Sequence, residues 1–484
     1  MSKTTIIYKD VAPGAAADAS FTSTAAASFS DMALADGYES VPIITGELNE
    51  VGLNGTFVPL GSQAVPFWSS ALSGSDCVFT SPPVITVEFD SQYTSVGVTL
   101  IFGQSTDDYC RSVNVKWYQG TILKADQDFA PDGPVYFCQK NVSSFDKVVI
   151  TLNETNLPYR YAKVEQILFG VLRTFDMTEI RNAKITNQIN HISSEVPVST
   201  LNWTLDSKSD VDYMFQLKQP MEVRNDGYLI GVYYINEHSR TAERLYSLRC
   251  QDAFGVLDGA TFDGGVYSGK SAKAMLSEIV GGDFTVSYAS GVADALLTGV
   301  LLPATKRASI QQVLFAWGVC AATDGVDGIR VFTLNDTSTV IDTDHTYTGA
   351  SITTSAIVTQ VKVTAHTYTQ DSSGSIEIGG VKYKDVQTVY EVSNPNITAN
   401  DKKNIVEVTG ATLVSTSIGQ AVAQRVYDYY AKRNTAKTKI VWTGELLGDC
   451  VTVPNAWGET STGNISKMDI ALSNTVSASC EVPS

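Results

Sequence analysis

Histidine is scarce in this chain of 484 residues. There are four, His191, His238, His345 and His366, widely separated. That argues against a His-rich metal enzyme. The seven cysteines (Cys77, Cys110, Cys138, Cys250, Cys320, Cys450 and Cys480) contain no Cys-x-x-Cys pair. Structural zinc needs paired ligands at short spacing, so no metal is expected. An odd, widely spaced set reads as buried free thiols in a chain made in a reducing cytosol. No run of about 18 apolar residues occurs, so no membrane span is expected. The start, MSKTTIIYKDVAPGAAADAS, lacks the apolar stretch of a secretory leader. Charged residues are only 18% of the chain, and acids outnumber bases 51 to 34, a net charge of −17. With no basic stripe, nucleic-acid readout is not expected.

Catalytic signatures are missing too. There is no Gly-x-Ser-x-Gly, no His-Glu-x-x-His and no phosphate-binding glycine loop before a helix. The turn Asp324-Gly325-Val326-Asp327 lacks the ligands and closing Glu of a calcium loop. Asp107-Asp108 is an acid pair that nothing in the sequence places across a sugar. No catalytic residue, no metal and no cofactor is assigned, and the chain reads as a non-enzyme.

What is present is 43% hydrophobic residues, 10% aromatics and abundant Ser, Thr, Asn and Gly. Such a chain folds, and its length fits several domains. Residues 1–40 are rich in Ala, Ser, Thr and Asp, with few large apolar groups, and read as a flexible or assembly-ordered arm. Residues 41–170 carry β-branched runs such as Val84–Phe89, Val98–Phe102 and Lys147–Leu152. Val113–Tyr118 turns at Gln119-Gly120 and returns through Thr121–Leu123. Turn residues fall between these runs at regular spacing, the pattern of a jelly roll or sandwich. Residues 171–265 continue with Thr200–Leu205 and Tyr228–Tyr234, a polar tip at Glu237–Arg240, and a return through Leu245–Cys250. Residues 266–345 switch to helical spacing. Ser271–Val280 stops at Gly281-Gly282. Thr305 caps a helix in which Ile310, Val313, Leu314 and Trp317 share a face. Residues 346–484 return to strands around one helix, where Ser417 and Gln420 have capping-box spacing. The expected class is mainly β with a few helices, a β-rich α+β protein.

Trp68, Tyr93, Trp117 and Tyr118 are the candidate ligand-binding residues, because exposed aromatic faces stack on sugar rings. Trp117 and Tyr118 are adjacent in a strand and so face opposite sides, one toward the core and the other outward.

The order of parts resembles the tail-hub (baseplate hub) family of bacteriophages and related injection systems. The stretches that carry this are GVYYINEHSRTAERLYSLRCQDAFGVLDG (231–259), the helix ending at 281–282, LPATKRASIQQVLFAWGVCAATDGVDGIRVFTL (302–334), and the helix at 417–433 with GELLGDCVTVPNAWGETSTGNISKMDIAL (444–472). FWSSALSGSDCVFTSPPVITVEF (67–89), GVTLIFG (97–103), VKWYQGTIL (115–123) and YRYAKVEQILFG (159–170) resemble a galactose-binding-like, carbohydrate-binding-module-like jelly roll in tail proteins of phages of Gram-positive bacteria. The resemblance implies two related hub β-barrel domains (171–265 and 346–484) joined by a helical piece (266–345). It implies a homotrimer in a virion tail tip or baseplate, assembled in the bacterial host cytoplasm. The partners implied are a tube or distal tail protein and a spike or tip protein. The alternative is a tail-tip adsorption protein whose jelly roll holds host cell-wall glycan. Residues 1–170 hold nine bases against eighteen acids, and the rest 25 against 33, so the net negative charge is densest in the jelly-roll third.

Overall fold

The structure, a computed structural model, describes residues 4–12, 14–35, 43–45, 47, 58–59, 65–207, 215–334, 337–398, 400–473 and 476–484. The fold is mainly β with a few helices. The chain divides into two compact units, Tyr8–Arg173, and Met1–Ile7 together with Thr174–Ser484.

In the Tyr8–Arg173 unit one sheet runs in the order Phe67–Trp68, Lys163–Leu168, Val84–Phe102, Val135–Thr155, Cys110–Gln119, Ile122–Phe129. The β-branched runs at 84–89 and 98–102 belong to one long strand. Its pairing with Val135–Thr155 shifts register between Glu88 and Gly97, so the strand bends there. Alternate side chains fill a core of Phe67, Phe102, Trp117, Phe145 and aliphatic neighbours.

The described part of the 1–40 stretch is ordered within the chain itself. Thr4–Val11 and Ala19–Thr24 are strands, and the second pairs from Ala19↔Phe89 to Thr24↔Val84. Composition alone suggested an arm because the stretch has few large apolar groups. A strand added to a sheet edge is held by backbone hydrogen bonds, which composition does not register. Residues 1–3, 13 and 36–40 of that stretch lie outside the described residues.

In the other unit nine strands lie side by side. Their order is Pro220–Asn225, Tyr228–Arg240, Leu245–Gln251, Thr200–Asp206, Ile180–Gln188, Lys467–Ala471, Ser477–Pro483, Asn434–Val441, Thr346–Thr354. Strands from the 171–265 and 346–484 segments therefore meet in one sheet, with Ile185 opposite Ile470. The polar hairpin tip read at Glu237–Arg240 lies one turn further on. Glu237 and Ser239 still pair, with Arg249 and Ser247, and the chain reverses at Thr241–Arg244.

The helices are Ala253–Asp258, Ala272–Val280, Lys306–Trp317 and Gly419–Ala431, besides the one-turn Ala15–Asp18. Ser271 and Thr305 cap theirs by accepting from the amides of Ala274 and Ala308, and Gly281 and Gly318 end them in the left-handed conformation. The capping box at Ser417 does not form. Ile418 occupies the cap position without a side-chain bond, and the Ser417 hydroxyl faces that of Ser415 instead. The helical segment shares its core with both flanking parts. Met275, Ile279, Val313 and Leu314 pack in one cluster with Ile192, Phe254, Val361 and Val426.

Candidate functional site

Trp117 has no exposed surface and Trp68 keeps 6%. Trp68 packs edge-on to Phe29 at 5.9 Å, and the Lys163 ammonium lies 4.6 Å from its ring centre. Tyr118, on the opposite side of its strand from Trp117, is half-buried with the Lys147 ammonium 5.9 Å from its centre. Tyr93 is also half-buried and donates its hydroxyl to Asp18 at 2.9 Å. Two of the four aromatics singled out for sugar stacking are thus core residues, and the structure does not gather the four into one exposed platform.

The same unit holds a buried ionic cluster. Lys163 Nζ lies 2.8 Å from Glu47 and 2.5 Å from Asp108, and Arg160 Nε is 3.2 Å from Asp108. All four side chains are at most 4% exposed. Two cations meet two carboxylates, so the charges balance without a further ion. Desolvation of the four charges offsets much of their mutual attraction, so such a cluster is weak evidence for stability.

A second polar assembly is built by sheet register. Gln188, Lys467, Glu481, Lys437 and Ser351 stand opposite one another on successive strands. The neighbouring row is Thr186, Asp469, Ser479, Lys439 and Thr348. The intervening positions, Asn187, Met468, Cys480 and Thr438, are buried, as are Ile185, Ile470, Ala478 and Ile440 beyond the second row. The last strand, Thr346–Thr354, carries two register shifts against its neighbour. Bulges of this kind bend an edge strand, and here Thr348, Gly349 and Ser351 wall a cleft of about 330 Å³ over the lysine rows. Lys437 pairs with Glu481 at 2.9 Å, and Asp469 takes Lys184 at 3.2 Å and the Thr186 hydroxyl at 2.7 Å. Lys439 sits 4.5 Å from the centre of the half-exposed Tyr347 ring.

Sequence reasoning missed this cleft. Its residues come from four separate strands and are neighbours only through register.

All seven cysteines are free and buried. Burial pushes the Cys320 and Cys480 thiols up to about 12. Among the described residues no cluster of three or more His, Cys, Asp or Glu could hold a metal, and no helix is long and apolar enough to cross a membrane.

No family model matches the chain, and no curated protein matches it. Among solved structures it is similar to a 43 kDa tail protein of prophage MuSo2 from Shewanella oneidensis, at 12% identity and TM-score 0.46, over 64% of this chain and 95% of that one. It is similar to a tail protein from Neisseria meningitidis at 11% identity and TM-score 0.46, covering 62% and 92%. Prophage tail protein gp18 from Listeria monocytogenes matches at 11% and 0.44, covering 64% and 91%. At these scores the likeness is one of backbone arrangement over part of the chain and carries nothing about role.

Proposed function

We propose that this chain is a structural subunit of a phage-like tail, a hub at the distal end that links tail tube to tip or spike and works as a homotrimer. The observation that supports this is the joined sheet. Strands from two separate parts of the chain, 180–251 and 346–483, meet side by side at the Ile185–Ile470 register. Around that seam, from Ile180–Gln188 to Asn434–Val441, one face of the sheet is buried and the other is polar, as in a wall with one side toward solvent. The sequence resemblance to tail hubs implies two such halves per chain. Three copies would then present six halves around a closed ring, matching a six-fold tube to a three-fold tip. In this reading the chain positions other proteins and catalyses nothing.

Mass measurement on the purified chain tests the assembly, with a species of three times 52.1 kDa expected at micromolar concentration. Immuno-electron microscopy of tails tests the place. A stable monomer, or label confined to capsids, overturns the reading.

A further inference from the structure

The cleft over the lysine rows has no part in the hub argument, and its chemistry is specific. Three lysines, Lys437, Lys439 and Lys467, face two carboxylates, Asp469 and Glu481, in about 330 Å³. That is the lower end of the range for small-molecule sites. Both carboxylates already have a lysine, Lys184 for Asp469 and Lys437 for Glu481. The three lysines outnumber the two carboxylates, so the cleft is locally cationic on a chain of net charge −17. Lys439 leans on the face of Tyr347, which is 50% exposed.

A second aromatic stands on the same edge. Ala350 of the walling strand is bridged to Asn455, and two residues on, Trp457 is 59% exposed with its indole N–H held by Glu459 at 2.9 Å. Of the other five tryptophans, Trp68, Trp117, Trp203 and Trp442 are at most 7% exposed and Trp317 is half-buried, so Trp457 is the most exposed of the six. A large exposed aromatic fixed in orientation is a stacking surface.

We propose that this cleft binds an acidic saccharide unit. Lys439 and Lys467 take its anionic group, Asp469 and Glu481 accept from its hydroxyls, and Tyr347 or Trp457 stacks on its ring. The two carboxylates argue against a continuous polyanion, whose closely spaced phosphates they would repel. The anionic group is a carboxylate or a phosphate, both of which the two ammoniums recognise. The site lies within one chain, so it holds or fails independently of the ring.

Ligand-detected NMR on the full-length protein, titrated separately with glucuronic acid, glucose 6-phosphate, glucose and inorganic phosphate, tests this. Saturable binding of glucuronic acid or glucose 6-phosphate is expected in the millimolar range or tighter, and which of the two binds identifies the anion. The pair Lys439→Gln and Lys467→Gln should weaken it at least tenfold, and Tyr347→Ala with Trp457→Ala at least threefold. Melting temperatures should stay unchanged, because these side chains lie on the solvent side. Absence of binding by both charged sugars overturns the proposal, as does affinity unchanged by the lysine pair. Equal affinity for glucose, or inorganic phosphate bound as tightly with no effect of the aromatic pair, overturns it too.

Discussion

Asp252 is 1% exposed, and its carboxylate accepts from the amides of Ser199 and Gly255 and from the Thr323 hydroxyl. Burial nevertheless outweighs these bonds and raises its pKa from 3.8 to about 6. A raised carboxylate favours the protonated folded chain, so its contribution is full below pH 3.8 and is lost as pH rises through 6. The stability of the wild type relative to Asp252→Asn should therefore fall between pH 4 and pH 7 by up to about 3 kcal/mol. Urea denaturation at each pH measures this. A difference that does not change with pH means that Asp252 stays ionised. His191 works the other way. It is 8% exposed, and burial lowers its pKa from 6.5 to about 4. Its contribution is full above pH 6.5 and is lost as pH falls through 4. His191→Gln should flatten the loss of stability between pH 6.5 and pH 4, again by up to about 3 kcal/mol. Neither shift was legible in the sequence, since burial of a lone Asp or His depends on what packs over it.

At the scale of elements, local chemistry and local sequence mostly agree. The helices beginning after Ser271 and Thr305 and ending at Gly281 and Gly318 start and stop where the hydroxyl and the glycine put them, because caps act within one turn. Thr305→Ala removes the bond to the Ala308 amide, and also one to Asp258 at 3.1 Å. It should cost about 1 kcal/mol in thermal or denaturant unfolding. Gly318→Ala should cost more. Gly318 has φ +88, and a Cβ there would lie 2.4 Å from the Arg425 guanidinium. A loss no larger than that of Thr305→Ala would mean that Arg425 moves aside freely. The exception is the Ser417 capping box. Its spacing is right, but Ile418 is drawn against the core cluster and takes the cap position itself. The six-residue helix Ala253–Asp258 was missed because six residues are too few to establish a period.

For the whole molecule, the decisive contact is the seam between Ile180–Gln188 and Lys467–Ala471, nearly three hundred residues apart in sequence. Ile470 is 1% exposed and Ile185 fully buried. Ile470→Ala should destabilise the Thr174–Ser484 unit by roughly 2–5 kcal/mol, read by chemical denaturation. If the seam is what keeps the two strand sets in one body, it should also weaken self-association measured by light scattering. Unchanged association in a folded Ile470→Ala chain would separate the seam from the ring. The alternation of both strands was readable, but their partnership was not, because period-two patterning identifies a face and leaves the neighbour open.

By itself the sequence determined the class, a β-rich chain with a few helices, and where the helices after Ser271 and Thr305 start and stop. These follow from periodicity, turn chemistry and composition, which act over a few residues. Only the tertiary structure decided that Ala19–Thr24 joins a sheet, that Trp68 and Trp117 are core, and that Lys437, Lys439 and Lys467 share a cleft. Each depends on which strand lies beside which, and pairing between distant segments is set by the packing of the whole sheet.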